Sequence, residues 1–262
     1  MRQLFPVTEE TAGGREGARA WDLPELAAAY AYPEPAEYGP GGAWLRANMV
    51  ASLDGAGQHD GRSAPLSSPA DMRIFGTLRA LADAVVVGAG TVRQEGYRPA
   101  RARAAFAASR AAAGQSPAPA IAVVSATLDL DLAAPLFTEP VVPTLILTGA
   151  GAPAHRLAEA RRSGADVVVA GEGVGVEPSA AVRALAGRGL RRLLLEGGPT
   201  LLGEFVAQDV VDELCLTLSP TLTSGSAQRI ASGPAVPEPH RLALCSLLEE
   251  DGFLFTRYRR AA

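Results

Sequence analysis

The stretch RRLLLEGGPTLLGEFVAQ, residues 191–208, decides how the rest of the chain is read. Leu193 to Leu195 form an apolar run of strand length, while Leu201, Leu202, Phe205 and Val206 recur at helical spacing. A strand therefore runs into a helix across Glu196-Gly197-Gly198-Pro199-Thr200. Proline suits the first helical turn, where its missing N–H would be unpaired anyway, and glycine lets the chain turn at positive φ or admit a ligand against bare backbone. Such a junction exposes N–H groups with positive partial charge, a physical basis for holding a phosphate. A tight turn with nothing bound uses the same residues, and this segment alone does not choose between the two.

A second junction of the same kind lies in DAVVVGAGTVRQEG, residues 83–96, where Thr91 follows Gly88-Ala89-Gly90. Thr91 is placed to cap a helix or to donate a hydroxyl to a phosphate. Against the dinucleotide fingerprint, Gly88 and Gly90 fit the first two glycines but Arg93 takes the third, so an ordinary Rossmann domain is a poor match. Both junctions fall at carboxyl ends of expected parallel strands, where open α/β sheets bind ligands, and together they favour a phosphorylated one. Around them, WLRANMVAS, AIAVVSA, VPTLILTGA and DVVVAG read as strands, with helices in SSPADMRIFGTLRALA, HRLAEARRSG and SAAVRALAGRG. ELCLTLSP and GFLFTRYRR follow as strands with no helix between them. The expected fold is a three-layer α/β/α domain with a mostly parallel central sheet and an antiparallel C-terminal edge, over residues 43–262. Residues 1–42 read as an N-terminal extension with one short helix in WDLPELAAAYAYP. Residues 100–120 read as an exposed helix and loop of little chemical interest.

Composition narrows the chemistry. With 48% hydrophobic and 20% charged residues and a net charge of −4, the 262-residue chain reads as soluble, with no electrostatic reason to bind nucleic acid or an anionic membrane. No apolar run reaches the roughly 18 residues of a membrane span, and MRQLFPVTEE lacks the regions of a signal peptide, so a cytoplasmic location is expected. Cys215 and Cys245 read as buried thiols in apolar contexts, and only three histidines speak against a histidine metal cluster, so no metal is expected. All 24 basic residues are arginine. Without lysine there is no Schiff base for pyridoxal phosphate or a class I aldolase, no Walker phosphate loop, and no Tyr-x-x-x-Lys pair.

The order Ala-Ser-Leu-Asp-Gly (residues 51–55), Ser-Ser-Pro, Val-Gly-Ala-Gly-Thr-Val, Val-Val-Ser and Leu-Glu-Gly-Gly-Pro-Thr-Leu resembles the pyrimidine reductases of riboflavin biosynthesis over roughly residues 44–258. That family is the reductase half of a bifunctional deaminase-reductase, with a dihydrofolate-reductase-like fold. The resemblance implies an NADPH-dependent reduction of a ribosylamino-pyrimidinone 5′-phosphate, or its deaminated form, to the ribitylamino compound. The deaminase half's zinc pattern of His-x-Glu and Pro-Cys-x-x-Cys is missing here, which implies a stand-alone reductase.

Carried over position by position, the resemblance implies cofactor contacts at Gly88, Thr91, Glu95, Ser125, Gly171, Gly197, Gly198, Pro199 and Thr200. It implies substrate contacts at Asn48, Ser52, Asp54, Ser67 and Glu196, with Asp54 or Glu196, or a water they hold, as the proton source. Glycines admit a pyrophosphate, hydroxyls donate to phosphates, and carboxylates accept from amino groups of a diaminopyrimidinone. Asn48 stands where many family members carry lysine, and Glu95-Gly96-Tyr97 where many carry Asp-Asp-Pro. An arginine such as Arg73 or Arg98 would then hold a substrate phosphate, or the substrate lacks one. A homodimer is implied, with the strand around CLTLSP offering apolar edge surface. Reduction of dihydrofolate or another pterin, and nucleotide binding without turnover, are the alternative readings.

Overall fold

The apolar runs become the strands of one sheet in the computed structural model, which describes residues 1–7, 21–39 and 41–261. In chain order the elements are β1 (Arg2–Phe5), α1 (Leu23–Ala29), β2 (Trp44–Ala51), α2 (Pro69–Leu81), β3 (Ala84–Gly88), α3 (Ala89–Glu95), α4 (Ala107–Ala112), β4 (Ala120–Val124) and α5 (Pro135–Thr138). There follow β5 (Leu145–Thr148), α6 (Ala154–Arg162), β6 (Asp166–Val169), α7 (Pro178–Ala186), β7 (Arg192–Leu195), α8 (Pro199–Ala207), β8 (Glu213–Leu218), β9 (Leu242–Glu250) and β10 (Phe253–Arg260). Among the described residues the sheet order is β1-β9-β10-β8-β2-β7-β3-β4-β5-β6. The pairs from β8 to β6 are parallel, and β10, β9 and β1 close the other end antiparallel.

Alternate residues of the central strands face two separate cores. Val85, Val87, Ile121 and Leu194 pack with Leu26, Ile74, Leu78, Leu136 and Ala160, which places α1, α2, α5 and α6 on one side. Val86, Ala122, Leu193 and Leu195 pack with Val182, Leu185, Leu202 and Phe205, which places α7 and α8 on the other. The three expected layers are present. Helix α2 starts where Ser68 accepts from the Asp71 N–H at 3.1 Å, with Pro69 in the first turn.

Four expectations need correction. Thr91 is not a helix cap: β3 runs directly into α3, Gly88 takes the cap position, and Thr91 lies inside the first turn. The strand β8 is not an edge, because β10, β9 and β1 continue the sheet beyond it. Both β1 and β9 escaped the sequence reading: β1 is four residues long, and β9 carries Ser246, Glu249 and Glu250 within its run. Residues 100–120 are not merely surface. Arg110 is buried there and donates to the carbonyls of Ala80 and Ala82 at 2.7 and 2.8 Å, capping the end of α2.

The N-terminal helix is held by charge. Glu213 on β8 is fully buried between Arg46 on β2 and Arg257 on β10. Arg257 Nε donates to Glu213 Oε1 at 2.6 Å and Trp44 Nε1 donates to Oε2 at 2.9 Å. Arg46 Nη2 donates to Oε2 at 3.2 Å, while its Nε lies 2.7 Å from Oε1 but off the line of a hydrogen bond, so that contact is charge attraction. The remaining donors reach the end of α1: Arg46 Nη1 to Tyr30 O at 2.7 Å, Arg257 Nη1 to Ala29 O at 2.6 Å and Arg257 Nη2 to Ala31 O at 3.1 Å. Burial alone would raise the Glu213 carboxyl, but the two guanidiniums outweigh it and hold it below the ordinary range.

Glu213→Gln leaves two buried cations with no counter-charge, and urea titration should show a loss of about 3 kcal/mol or more. A carboxyl with a depressed folded pKa stabilises fully above its unfolded pKa and loses that contribution as pH falls through its folded value. The gap between wild type and variant should therefore be constant near neutrality and shrink below the ordinary glutamate range.

Candidate active site

Because β7 and β3 are sheet neighbours, the two glycine junctions meet. The Glu196 N–H donates to Val86 O at 3.0 Å, and the Gly88 N–H donates to Gly197 O at 2.8 Å. Gly197 has φ +84°, a conformation that favours glycine, and the Gly197–Gly198 peptide is cis. Gly198 has an ordinary φ of −70° and is the cap residue of α8, with no side chain satisfying the first-turn N–H groups. Its glycine identity has a steric origin: a Cβ there would stand 2.8 Å from Thr91 Oγ1. At Gly88 a Cβ would meet nothing closer than 3.7 Å.

Two hollows open beside this contact. One, of about 420 Å³, lies among α2, the end of β2, α3 and the 196–199 junction. The other, of about 300 Å³, lies over the starts of α3 and α8. Thr91, Gln94, Gly198 and Pro199 line both, so they form the wall or sill between them.

The structure brings many of the implied residues together. Asn48, Ser67, Glu95 and Glu196 line the larger hollow, and Gly88, Thr91, Gly198, Pro199 and Thr200 line the smaller. Gly197 contributes through its carbonyl bond to Gly88. The carboxylate of Glu95 accepts from the N–H and hydroxyl of Ser63, each at 3.1 Å, and so holds the 61–63 loop to the end of α3.

Ser125, Gly171, Ser52 and Asp54 stand outside both linings. Ser125 is buried at the end of β4, its N–H on Leu147 O. Gly171 makes room for its own loop, since a Cβ there would lie 2.6 Å from Gly175 O. Ser52 Oγ donates to Asp54 Oδ1 at 2.5 Å, and Asp54 also accepts from the N–H groups of Thr223 and Ser224, the latter at 2.6 Å. The hydroxyl of Ser52 and these two N–H groups hold the Asp54 carboxyl down at about 2. Asp54 thus latches the loop after β2 to the loop after β8.

Glu196 is equally engaged. Arg79, on α2, grips it bidentately, Nε to Oε1 at 2.7 Å and Nη2 to Oε2 at 2.6 Å, and the Tyr97 hydroxyl donates to Oε2. The guanidinium of Arg79 lies over the Phe75 ring at 4.4 Å and the Tyr97 ring at 5.2 Å. Burial would lower the Arg79 pKa, but the Glu196 charge overrides it and drives it up. Burial first, then Glu196, pushes the Tyr97 hydroxyl well above its usual value.

Arg79, Tyr97, Phe75 and Asp71 also line the larger hollow and were not among the residues singled out from the sequence. Asp71, Phe75 and Arg79 all line the larger hollow at i, i+4 and i+8 on α2, a spacing visible in the sequence. Of the two arginines considered for a phosphate, Arg73 pairs with Glu250 at 2.7 Å. Arg98 is exposed on the lining of the larger hollow, without an ion-pair partner among the described residues.

Residues 43–250 match the RibD C-terminal domain family. A 2,5-diamino-6-ribosylamino-4(3H)-pyrimidinone 5′-phosphate reductase from Archaeoglobus fulgidus is 31% identical over 215 residues, covering 81% of this chain and 97% of the relative. An enzyme of the same name from Methanothermobacter thermautotrophicus is 31% identical over 192 residues, 73% of this chain and 84% of its own length. The crystal structure of a pyrimidine reductase-like protein from Corynebacterium diphtheriae superposes with a TM-score of 0.78 at 26% identity, over 90% of this chain and 98% of that one. With four-fifths of its length inside the matched region and the motifs of that region gathered around one cleft, the chain belongs to the RibD C-terminal domain family.

Proposed function

We propose that the protein reduces 2,5-diamino-6-ribosylamino-4(3H)-pyrimidinone 5′-phosphate, the compound named for its archaeal relatives, with NADPH as hydride donor. The observation that carries this reading is the pair of hollows meeting at Thr91 and Gly198. A two-substrate hydride transfer needs adjoining sites whose reacting atoms can touch.

The residues present fit the cofactor. The bare Gly198 backbone facing Thr91, the Thr91 and Thr200 hydroxyls, and the uncapped start of α8 offer a close approach and donors for a dinucleotide's phosphates. When bound, NADPH supplies a hydride from C4 of its nicotinamide. On the other side, Asn48, Ser67, Glu196 and Arg79 shape the pyrimidine's place, and Arg98, an exposed arginine on the same lining with no ion-pair partner among the described residues, takes the part of phosphate holder. The opened ribosylamino group presents a C1′=N imine. Hydride adds to C1′, the C=N π pair passes to nitrogen, and nitrogen takes a proton. Neither carboxylate is the proton source in this assignment: Asp54 is ionised in its loop latch, and Glu196 balances Arg79. Water in the open cleft supplies the proton, and Glu196 positions Arg79.

The protein works as a homodimer in this reading. The support is the sheet face bearing Leu216, Leu218, Leu247, Leu254 and Tyr258, which are partly exposed and belong to neither core. This face, rather than an open edge at β8, is the surface a second copy would cover.

Gly198→Val tests the cofactor site. Thr91 can swing aside in the unliganded protein, so the melting temperature should stay near wild type, while NADPH affinity falls by roughly 10- to 100-fold as the added methyls fill the hollow. Unchanged NADPH binding would remove this junction from the cofactor site. With water as the proton source, kcat should be flat from about pH 5 to 8; an inflection that disappears in Asp54→Asn would return the acid role to Asp54. Sedimentation equilibrium should give twice the chain mass, and Leu216→Arg with Leu254→Arg should give a monomer that is still folded. A wild-type monomer at micromolar concentration would refute the dimer.

A further inference from the structure

Asp71 is a buried carboxylate with work left to do. It is 8% exposed, lines the larger hollow and has no cationic partner among the described residues. Two hydroxyls fix it: Ser67 Oγ donates to Oδ2 at 2.5 Å and Thr217 Oγ1 donates to Oδ1 at 2.7 Å. Each oxygen keeps a further lone pair, and the pair is held in one orientation. Burying a charge this way is costly unless its acceptors are used.

Resting on the reductase reading above, we infer that Asp71 recognises the 2-amino and N3–H groups of the pyrimidinone and so selects it over its deaminated counterpart. These two N–H donors are adjacent and parallel, a match for the two oxygens of one carboxylate. N3 lies across the ring from C6, which carries the ribosylamino group. Asp71 and Arg79 are eight residues apart on one helix face, about 12 Å along its axis, and Phe75 lies between them. A ring held at the Asp71 end over Phe75 therefore points C6 and its substituent towards Arg79, Glu196 and the Gly198 junction, where hydride arrives. In the deaminated compound a carbonyl oxygen replaces the 2-amino group and would face the carboxylate acceptor to acceptor. The site rejects it by leaving both unpaired.

The test compares NADPH oxidation by the full chain with the 2-amino pyrimidinone phosphate and with its 2-oxo counterpart. Wild type should favour the 2-amino compound by about 100-fold or more in kcat/KM. Asp71→Asn, whose amide both donates and accepts, should narrow that ratio at least tenfold, chiefly by raising KM for the 2-amino compound. A wild-type ratio near one, or a ratio unchanged in Asp71→Asn, overturns the inference while leaving the reductase reading intact. Reduction of neither compound overturns both. If Asp71→Asn does not fold, Ser67→Ala and Thr217→Val release the carboxylate from its fixed orientation, and the ratio must narrow in each; an unchanged ratio in both refutes the role.

Discussion

The hydrogen bond from the Gly88 N–H to Gly197 O ties together two strand ends whose following helices leave on opposite faces of the sheet. After β3 the chain turns into α3, whose Ala89 and Val92 pack with the core under α1 and α2. After β7 it turns into α8, whose Leu201, Leu202 and Phe205 pack in the other core. Two neighbouring parallel strands that part in this way leave a crevice beyond their carboxyl ends. Every feature of the site follows from that parting: the bare Gly198 backbone facing Thr91, the two hollows on either side, and the exit of Glu196 from the sheet beneath Arg79. A side chain at Gly198 would displace the Thr91 hydroxyl and fill the space the two hollows share, and a non-glycine at Gly197 would strain a backbone at positive φ.

Absence of lysine gives the molecule a consistent electrostatic style. A guanidinium is planar and carries five donors, so one buried arginine can balance a carboxylate, serve carbonyls, or do both at once. Arg46 and Arg257 share Glu213 and use their remaining donors on the end of α1. Arg110 closes α2 with carbonyls alone. Arg79 grips Glu196 with two parallel bonds and lies against two aromatic rings. Against this background Asp71 stands out as a buried carboxylate served by hydroxyls rather than by an arginine.

The parallel half of the fold was legible because its strands are buried on both faces, so AVVV, AIAVV and LILT read as unbroken apolar runs between glycines and helices. The antiparallel end was less so. In β9 the residues alternate between a packed and a partly open face, and Leu248 alone is fully buried, which dilutes the pattern. At the site, the glycine junctions were readable because their constraint is local: backbone conformation and close approach are written in Gly-Gly-Pro. The loop contacts of Asp54 were not readable because its partners, Thr223 and Ser224, lie 169 and 170 residues further on. Arg79, Phe75 and Asp71 share one helix face, but only the packing of α2 against the sheet tells which of its faces meets the cleft. The family resemblance located the cleft; it did not reveal which carboxylates were already taken.

The clamp on α1 also has a consequence for how the chain is made. The carbonyls of Ala29 and Ala31 are held by Arg257, which is 228 and 226 residues away, and β1 finds its sheet partner in β9. As the chain is synthesised, α1 can meet α2 and the guanidinium of Arg46 as soon as those segments are made, through Leu26 in the core and the Tyr30 carbonyl. The half of the clamp that Arg257 supplies, and the pairing of β1 with β9, wait for segments more than two hundred residues further along. The helix is thus placed early and locked late, and the edge strand joins the sheet as a late, long-range step of folding.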